Sequence, residues 1–315
     1  MAYWGRARRG AIALGAATAL ALTLAACGLG DKERMADAVI GSVDQAHRAG
    51  TARGTLSASM RIAELPGDVA LGDVAGGGGG QSFETVPLAV QIDFGTGRAL
   101  LAYERPFQIF DGQTIYGVRF EAGEREARPW VKIDMEASED LGELDPQQDP
   151  PVLLMNALSP VLLVDLVAGA LTGSIERTGN DDIGGVAVTG YTANFDVEKT
   201  LRDTRRKAYD DDAREAVEDM FDALKIKGTV HEGEAWLDPA GLPRRFALTL
   251  PVEPRHGFVI DVELRLELTE FGGPVSIEPP SDAELLEVGS LIGLFRSVIP
   301  SSGGVVAPPG EGVTP

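Results

Sequence analysis

Few residues of this 315-residue chain combine a reactive side chain with informative surroundings, and the clearest is Cys27, its only cysteine. It closes the run Leu24-Ala25-Ala26-Cys27, behind a basic start (Arg6, Arg8, Arg9) and an apolar stretch from Ala11 to Ala26. A basic start, an apolar run and small residues before a cut make up a secretory signal. Small side chains at positions 25 and 26 suit a peptidase groove that admits little else. The Cys27 thiol, first in the cleaved chain, is placed for attachment of a diacylglyceryl group. The alternative is an ordinary cleaved signal in which Cys27 is incidental.

No catalytic set assembles elsewhere. His47, His231 and His256 lie far apart, without the paired spacing of a metal-binding helix, and are read as exposed or structural. There is no G-x-S-x-G elbow, no S-x-x-K and no P-loop. The five glycines at 76–80 lack the preceding strand and the following Lys-Ser/Thr helix of a phosphate cradle. Asp181-Asp182 and Asp210-Asp211-Asp212 read either as weak calcium ligands or as solvated acidic turns, and neither has the ligand order of an EF-hand. Trp130 and Trp236 stand where strand residues pack, at core or rim. The expectation is a protein that is not an enzyme and holds no metal. It would have no cofactor beyond a covalent acyl anchor on Cys27.

Charge narrows the partners. Removing residues 1–26 lowers Lys+Arg from 28 to 25 against 48 Asp+Glu, a formal charge of −23 on 289 residues. That excludes nucleic acid as a partner and a polybasic grip on anionic headgroups. Membrane attachment then rests on acyl chains, of which two suffice for stable anchoring. With Cys27 acylated no thiol remains for a disulfide, so the core alone must hold the fold.

The elements follow from periodicity. Glu33 to Arg48 reads as a helix with Met35, Val39, Val43 and Ala46 on one face. From Thr51 the period becomes two, with Leu56, Ala58, Met60 and Ile62 alternating with polar residues. Residues 65–81 form a glycine-rich mobile loop. Strands follow at Val86–Phe94, Arg98–Glu104, Phe107–Phe110, Thr114–Phe120 and Trp130–Met135, with a hairpin turn at Asp111-Gly112. The apolar run 151–171 is interrupted by Asn156, Pro160 and Asp165. It reads as two short helices hinged at Ser159-Pro160, because no unbroken stretch approaches the ~20 residues of a membrane span. Strands at Gly173–Arg177 and Ile183–Val197 carry bulge points at Gly184-Gly185 and Gly190. Glu198–Leu224 is a second long helix. A meander closes the chain, through Val230–Leu237, a turn at Asp238–Gly241, Leu242–Leu250 and Phe258–Leu268, before a short helix near Asp282–Ser297.

Strands with one apolar and one charged face imply a sheet wet on one side, and so many strands must curl. The predicted class is α+β, a large curved antiparallel sheet (a half-barrel of about ten or more strands) with helices covering its concave face. The boundaries expected are a signal peptide at 1–26, a lipidated tether at 27–32, a single domain at 33–299 and a disordered tail at 300–315.

The tetrapeptide ending at Cys27, with the region layout before it, resembles the lipobox of bacterial lipoproteins. Several further features are similar to the mycobacterial LppX/LprG-type lipoproteins, which share the open half-barrel of LolA. They are the helix running into a long strand (Ala36–Ile62), Pro129-Trp130-Val131-Lys132-Ile133-Asp134, the apolar helical pair after Pro150, and Gly190-Tyr191. Glu234-Ala235-Trp236-Leu237-Asp238-Pro239-Ala240-Gly241-Leu242-Pro243-Arg244-Arg245 and Phe271-Gly272-Gly273-Pro274-Val275 complete the set. The resemblance spans roughly 33–280. The glycine-rich insertion at 65–81, the charged helix at 198–224 and the extension beyond 281 depart from it.

What the resemblance implies is an apolar cavity between sheet and helices for the acyl chains of a lipid or lipoglycan. The protein would be a carrier held at the extracytoplasmic face of the cell membrane, in an actinobacterial envelope, with room for a membrane lipid transporter as partner. Cavity residues expected from the sheet are Leu88, Val90, Ile92, Ile260, Val262 and Leu264. From the helices come Leu154, Leu158, Leu162, Leu166, Met220 and Phe221. Each has plain core packing as its alternative. Two other functions stay open, a sensory or protein-binding envelope lipoprotein with a packed core and an acidic surface, and a hydrolase with an unfamiliar site.

Overall fold

Val39, Ser42, Val43 and Ala46 recur at helical spacing and form the buried stripe of α1, Asp31–Ala49. Asp31 and Glu33 occupy its first turn and His47 and Arg48 its last, complementing the helix dipole, and the Gly30 amide donates to Glu33 Oε2 at 3.2 Å. The chain is described by a computed structural model at residues 30–64, 83–103, 105–112, 114–118, 130–134, 154–155, 158–167, 170–196, 199, 218–219, 221–222, 225–255 and 258–287. After α1 come β1 (Thr51–Glu64), β2 (Phe83–Glu84), β3 (Leu88–Asp93), β4 (Arg98–Ala102), β5 (Pro106–Asp111), β6 (Thr114–Val118) and β7 (Trp130–Asp134). A second helix, α2 (Pro160–Val167), precedes β8 (Ala170–Ile183), β9 (Val186–Asp196), β10 (Val230–Leu237), β11 (Pro243–Arg255), β12 (Phe258–Phe271) and β13 (Leu285–Glu287).

Among the described residues, thirteen strands join one open sheet in the order β13-β7-β6-β5-β4-β3-β1-β12-β11-β10-β9-β8, with β2 added to β1. Pairing is antiparallel except between β13 and β7. The seam is β1 against β12, where Leu56 faces Leu266, Ala58 faces Leu264 and Met60 faces Val262. That register puts the apolar residues of both strands on one face, and a slip by one residue would turn them all outward. On the other face Arg61 pairs with Asp261 at 2.8 Å, Arg245 with Glu267 at 2.7 Å and Arg265 with Glu263 at 2.6 Å. Partly exposed surface pairs of this kind contribute little stability each; they mark the wet face. A smaller apolar cluster of Leu100, Ile109 and Ile277, with Tyr116, Trp130 and Val275 against it, sits apart from the main core.

Two elements differ from the sequence expectation. Gly184 and Gly185, at φ 60° and 82°, form the two-residue turn of a β8–β9 hairpin and not a bulge. Two adjacent positive-φ positions are what such a turn requires. In place of a helix starting near Asp282, a 3-10 turn at Asp282–Glu284 leads into β13, because Leu285–Glu287 add to the open edge of β7 beside Trp130–Lys132. Of the long helix expected at 198–224, Lys199, Glu218, Asp219, Phe221 and Asp222 are helical and the rest lies outside the described residues. Cys27 with its signal and the tether to residue 29, the loop at 65–81, His256 and the tail at 300–315 also lie outside them, whereas Gly30 to Lys32, expected in the tether, cap and open α1.

Candidate functional site

The inner face is continuous from β3 to β10. Val90 and Ile92 on β3, Leu56 and Ala58 on β1, and Ile260, Val262 and Leu264 on β12 are all buried there. Cross-strand pairs carry the surface onto β11, where Leu248 faces Leu264 and Leu250 faces Val262. Over it lie α1, the turn containing Leu154 and Leu158, and α2 with Leu162 and Leu166. Phe221 is buried in the same cluster, and Leu88, nearer the edge of the strand pairing, is half-buried against it. Eleven of the twelve residues expected to line a cavity are thus gathered into one core cluster, and Met220 lies outside the described residues.

Among the described residues a hollow of about 10 Å³ lies between Val39 of α1 and Ile175, Ala193, Phe195 and Gly233 of the sheet, room for one water molecule. The side chain that Gly233 lacks would meet the Phe195 ring at 2.6 Å.

Two histidines enter this interior. His47 Nε2 lies 3.0 Å from Asp165 Oδ1, so the end of α1 is tied to α2 through a carboxylate only 1% exposed. The His47 ring also packs 4.9 Å from Phe94. α2 starts at the expected hinge, where the Val161 amide donates to Ser159 Oγ.

His231 was not expected at the site. On β10 the inward positions run His231, Gly233, Ala235, Leu237, and a histidine in that small-residue and apolar series was the signal available. It is 2% exposed; neither ring nitrogen has a partner in good hydrogen-bond geometry, and the Gly228 backbone approaches the ring as an acceptor. Phe195 and Phe221 flank the ring, with centroids at 6.2 Å and 6.3 Å. Burial pushes the imidazole below the ordinary histidine range, while the Gly228 backbone and the Asp196 carboxylate pull the other way. Its charge state therefore differs between the folded and unfolded chain. Below the ordinary value of 6.5 the unfolded chain takes up a proton that the folded chain refuses, so this group makes stability fall as pH drops below 6.5. In thermal melts between pH 7 and pH 5, wild type is expected to lose more stability than His231→Leu; equal pH slopes would show that the ring titrates normally.

Among the described residues no helix is long and apolar enough to cross a membrane. No group of three or more His, Cys, Asp and Glu there is placed to hold a metal ion. No family model and no curated protein matches the chain. Among solved structures it is similar to the lipoprotein LppX of Mycobacterium tuberculosis, at 13% identity and a TM-score of 0.34 over 76% of this chain and 98% of that one. It is similar to LprF of Mycobacterium bovis at 12% and 0.35, over 80% and 100%. An outer membrane lipoprotein-sorting protein domain from Vibrio parahaemolyticus follows at 8% and 0.22, over 76% and 95%. These likenesses are distant, and what the chain does has to come from its own residues.

Proposed function

We propose that the chain is a lipid-anchored, extracytoplasmic lipoprotein that takes up the acyl chains of a lipid or lipoglycan between its sheet and its covering helices, without chemical transformation. The observation that carries this is the apolar inner face that runs from β3 to β10, covered among the described residues by α1, the turn at Leu154–Leu158 and the short α2. Chains would enter by parting the covering segments: Ser159-Pro160 is where α2 can swing, and the His47–Asp165 contact holds it closed. Cys27 supplies the anchor, and the −23 charge keeps the wet face clear of anionic headgroups.

The formal charge of −23 after residue 26 supports a second reading, in which the core is structural and the acidic face docks a protein or cell-wall partner. Native mass spectrometry of the full chain, made in a mycobacterial host and released from detergent, separates the two. A lipid-sized mass above that of the same protein denatured supports carriage. Substituting both Leu162→Trp and Val262→Trp is expected to reduce that excess at least tenfold, by filling the space between α2 and β12. A bare mass from more than one host would reject carriage and leave the acidic face.

A further inference from the structure

An unpartnered polar side chain in an apolar interior has a cost. An imidazole carries a donor and an acceptor when neutral, and leaving them unmade in a buried site is unfavourable. His231 carries this cost at the inner face of β10, opposite Phe195 across the strand pair and against Phe221. It also lies two strands from Val262 on β12, about 10 Å at the usual strand spacing. A leucine would pack against the same two rings without that cost. The Gly228 carbonyl can serve at most one ring nitrogen, so the other is left for a partner that is present only some of the time.

We propose that His231 is the internal polar anchor of the lipid site, its ring hydrogen-bonding a hydroxyl group of a neutral lipid whose chains lie along the inner face between Phe195 and Phe221. This rests on the lipid-carrier reading and adds to it the residue that selects the cargo. A hydroxyl both donates and accepts, as a neutral imidazole does. A carboxylate ligand is disfavoured, because Asp196, itself largely buried and paired with Lys199 at 3.1 Å, already places negative charge beside the ring. A cationic headgroup is disfavoured by its desolvation in so apolar a setting.

The test compares 1-monopalmitoylglycerol, methyl palmitate and palmitate as ligands of the delipidated full chain and of its His231→Leu variant, by native mass spectrometry. Wild type is expected to bind monopalmitoylglycerol roughly fivefold or more tightly than methyl palmitate, the worth of about one hydrogen bond, and palmitate least. His231→Leu should erase that preference while holding methyl palmitate within about twofold. Without ligand it should melt about 2–4 °C higher, since it removes an unpaired polar group. A merely structural histidine would lower the melting temperature and leave the ligand preference as it was, and that outcome overturns the proposal. Should His231→Leu fail to fold, ring nitrogen NMR of wild type decides. The His231 signals must move with monopalmitoylglycerol and stay with methyl palmitate, and no movement overturns the anchor. Binding of methyl palmitate without any effect of the substitution rejects His231 alone. Binding of none of the three rejects the carrier reading as well.

Discussion

Gly54→Ala is expected to destabilise the folded chain by at least about 3 kcal/mol, measured by urea unfolding, the upper end of what overpacking usually costs. A β-carbon at position 54 would stand 1.7 Å from the Glu267 carbonyl oxygen and 2.8 Å from its carbonyl carbon. Both are backbone atoms of β12 and have no rotamer by which to withdraw. The position is the point where β1 shifts register against β12, Arg53 facing Glu270 and Gly54 facing Leu268. Relief of the clash means separating the strands that join the two halves of the sheet, and with them Leu56–Leu266 and Ala58–Leu264 on the inner face. Gly41→Ala in α1 is the matched control: nothing lies within 4 Å of its added methyl group. There alanine is expected to stabilise by about 0.5–1 kcal/mol through helix propensity. If both changes moved stability by the same small amount, the close approach at Gly54 would be wrong.

Asp238→Ala is expected to cost about 3–4 kcal/mol, the loss typical when one partner of a buried ion pair is removed. Asp238 is 8% exposed and accepts from the amides of Ala240 and Leu242, each at 2.9 Å, and from Arg244 Nε at 3.0 Å. Arg244 in turn donates to the Thr269 carbonyl at 2.8 Å and lies over the Phe271 ring at 5.3 Å. One carboxylate therefore shapes the β10–β11 turn and holds the guanidinium that ties it to the end of β12. Asp238→Asn keeps an acceptor for the turn amides and loses the charge, so about half the effect, roughly 1–2 kcal/mol, is expected. The ratio of the two losses in denaturant melts reads out how the work divides between turn and ion pair. An alanine variant as stable as wild type would refute both parts.

The two substitutions touch features of different legibility. Asp238-Pro239-Ala240-Gly241 reads as a turn from its residues, because aspartate and glycine act through atoms within the same four or five residues. The closeness of Gly54 to Glu267 does not, because it is a contact across more than two hundred residues. The same division runs through the fold. Phe258 to Leu268 alternates so cleanly that β12 and its inner face follow from the sequence, and α1 follows from its 3.6-residue stripe. Gly184-Gly185 is ambiguous locally, since alternation on both sides suits a bulged strand and a hairpin equally; pairing of β8 with β9 made it a turn. Leu285–Glu287 became a strand only because an open edge of β7 was there to receive them.

At the candidate site, the burial of Val90, Ile92, Val262 and Leu264 was legible because strand alternation selects a face and an apolar residue on that face will be buried whatever lies opposite. His231 had no such rule. Its meaning rests on which groups fail to reach its nitrogens, and those belong to β9, to the loop before β10 and to the helical turn at Phe221. The sequence by itself determined the charge, the two-faced strands and hence a sheet with one dry side. Only the tertiary structure decided the strand order, the His47–Asp165 tie between the covering helices and the unpaired ring of His231. Periodicity is a property of neighbours along the chain, whereas hydrogen-bond satisfaction in a core is a property of neighbours in space.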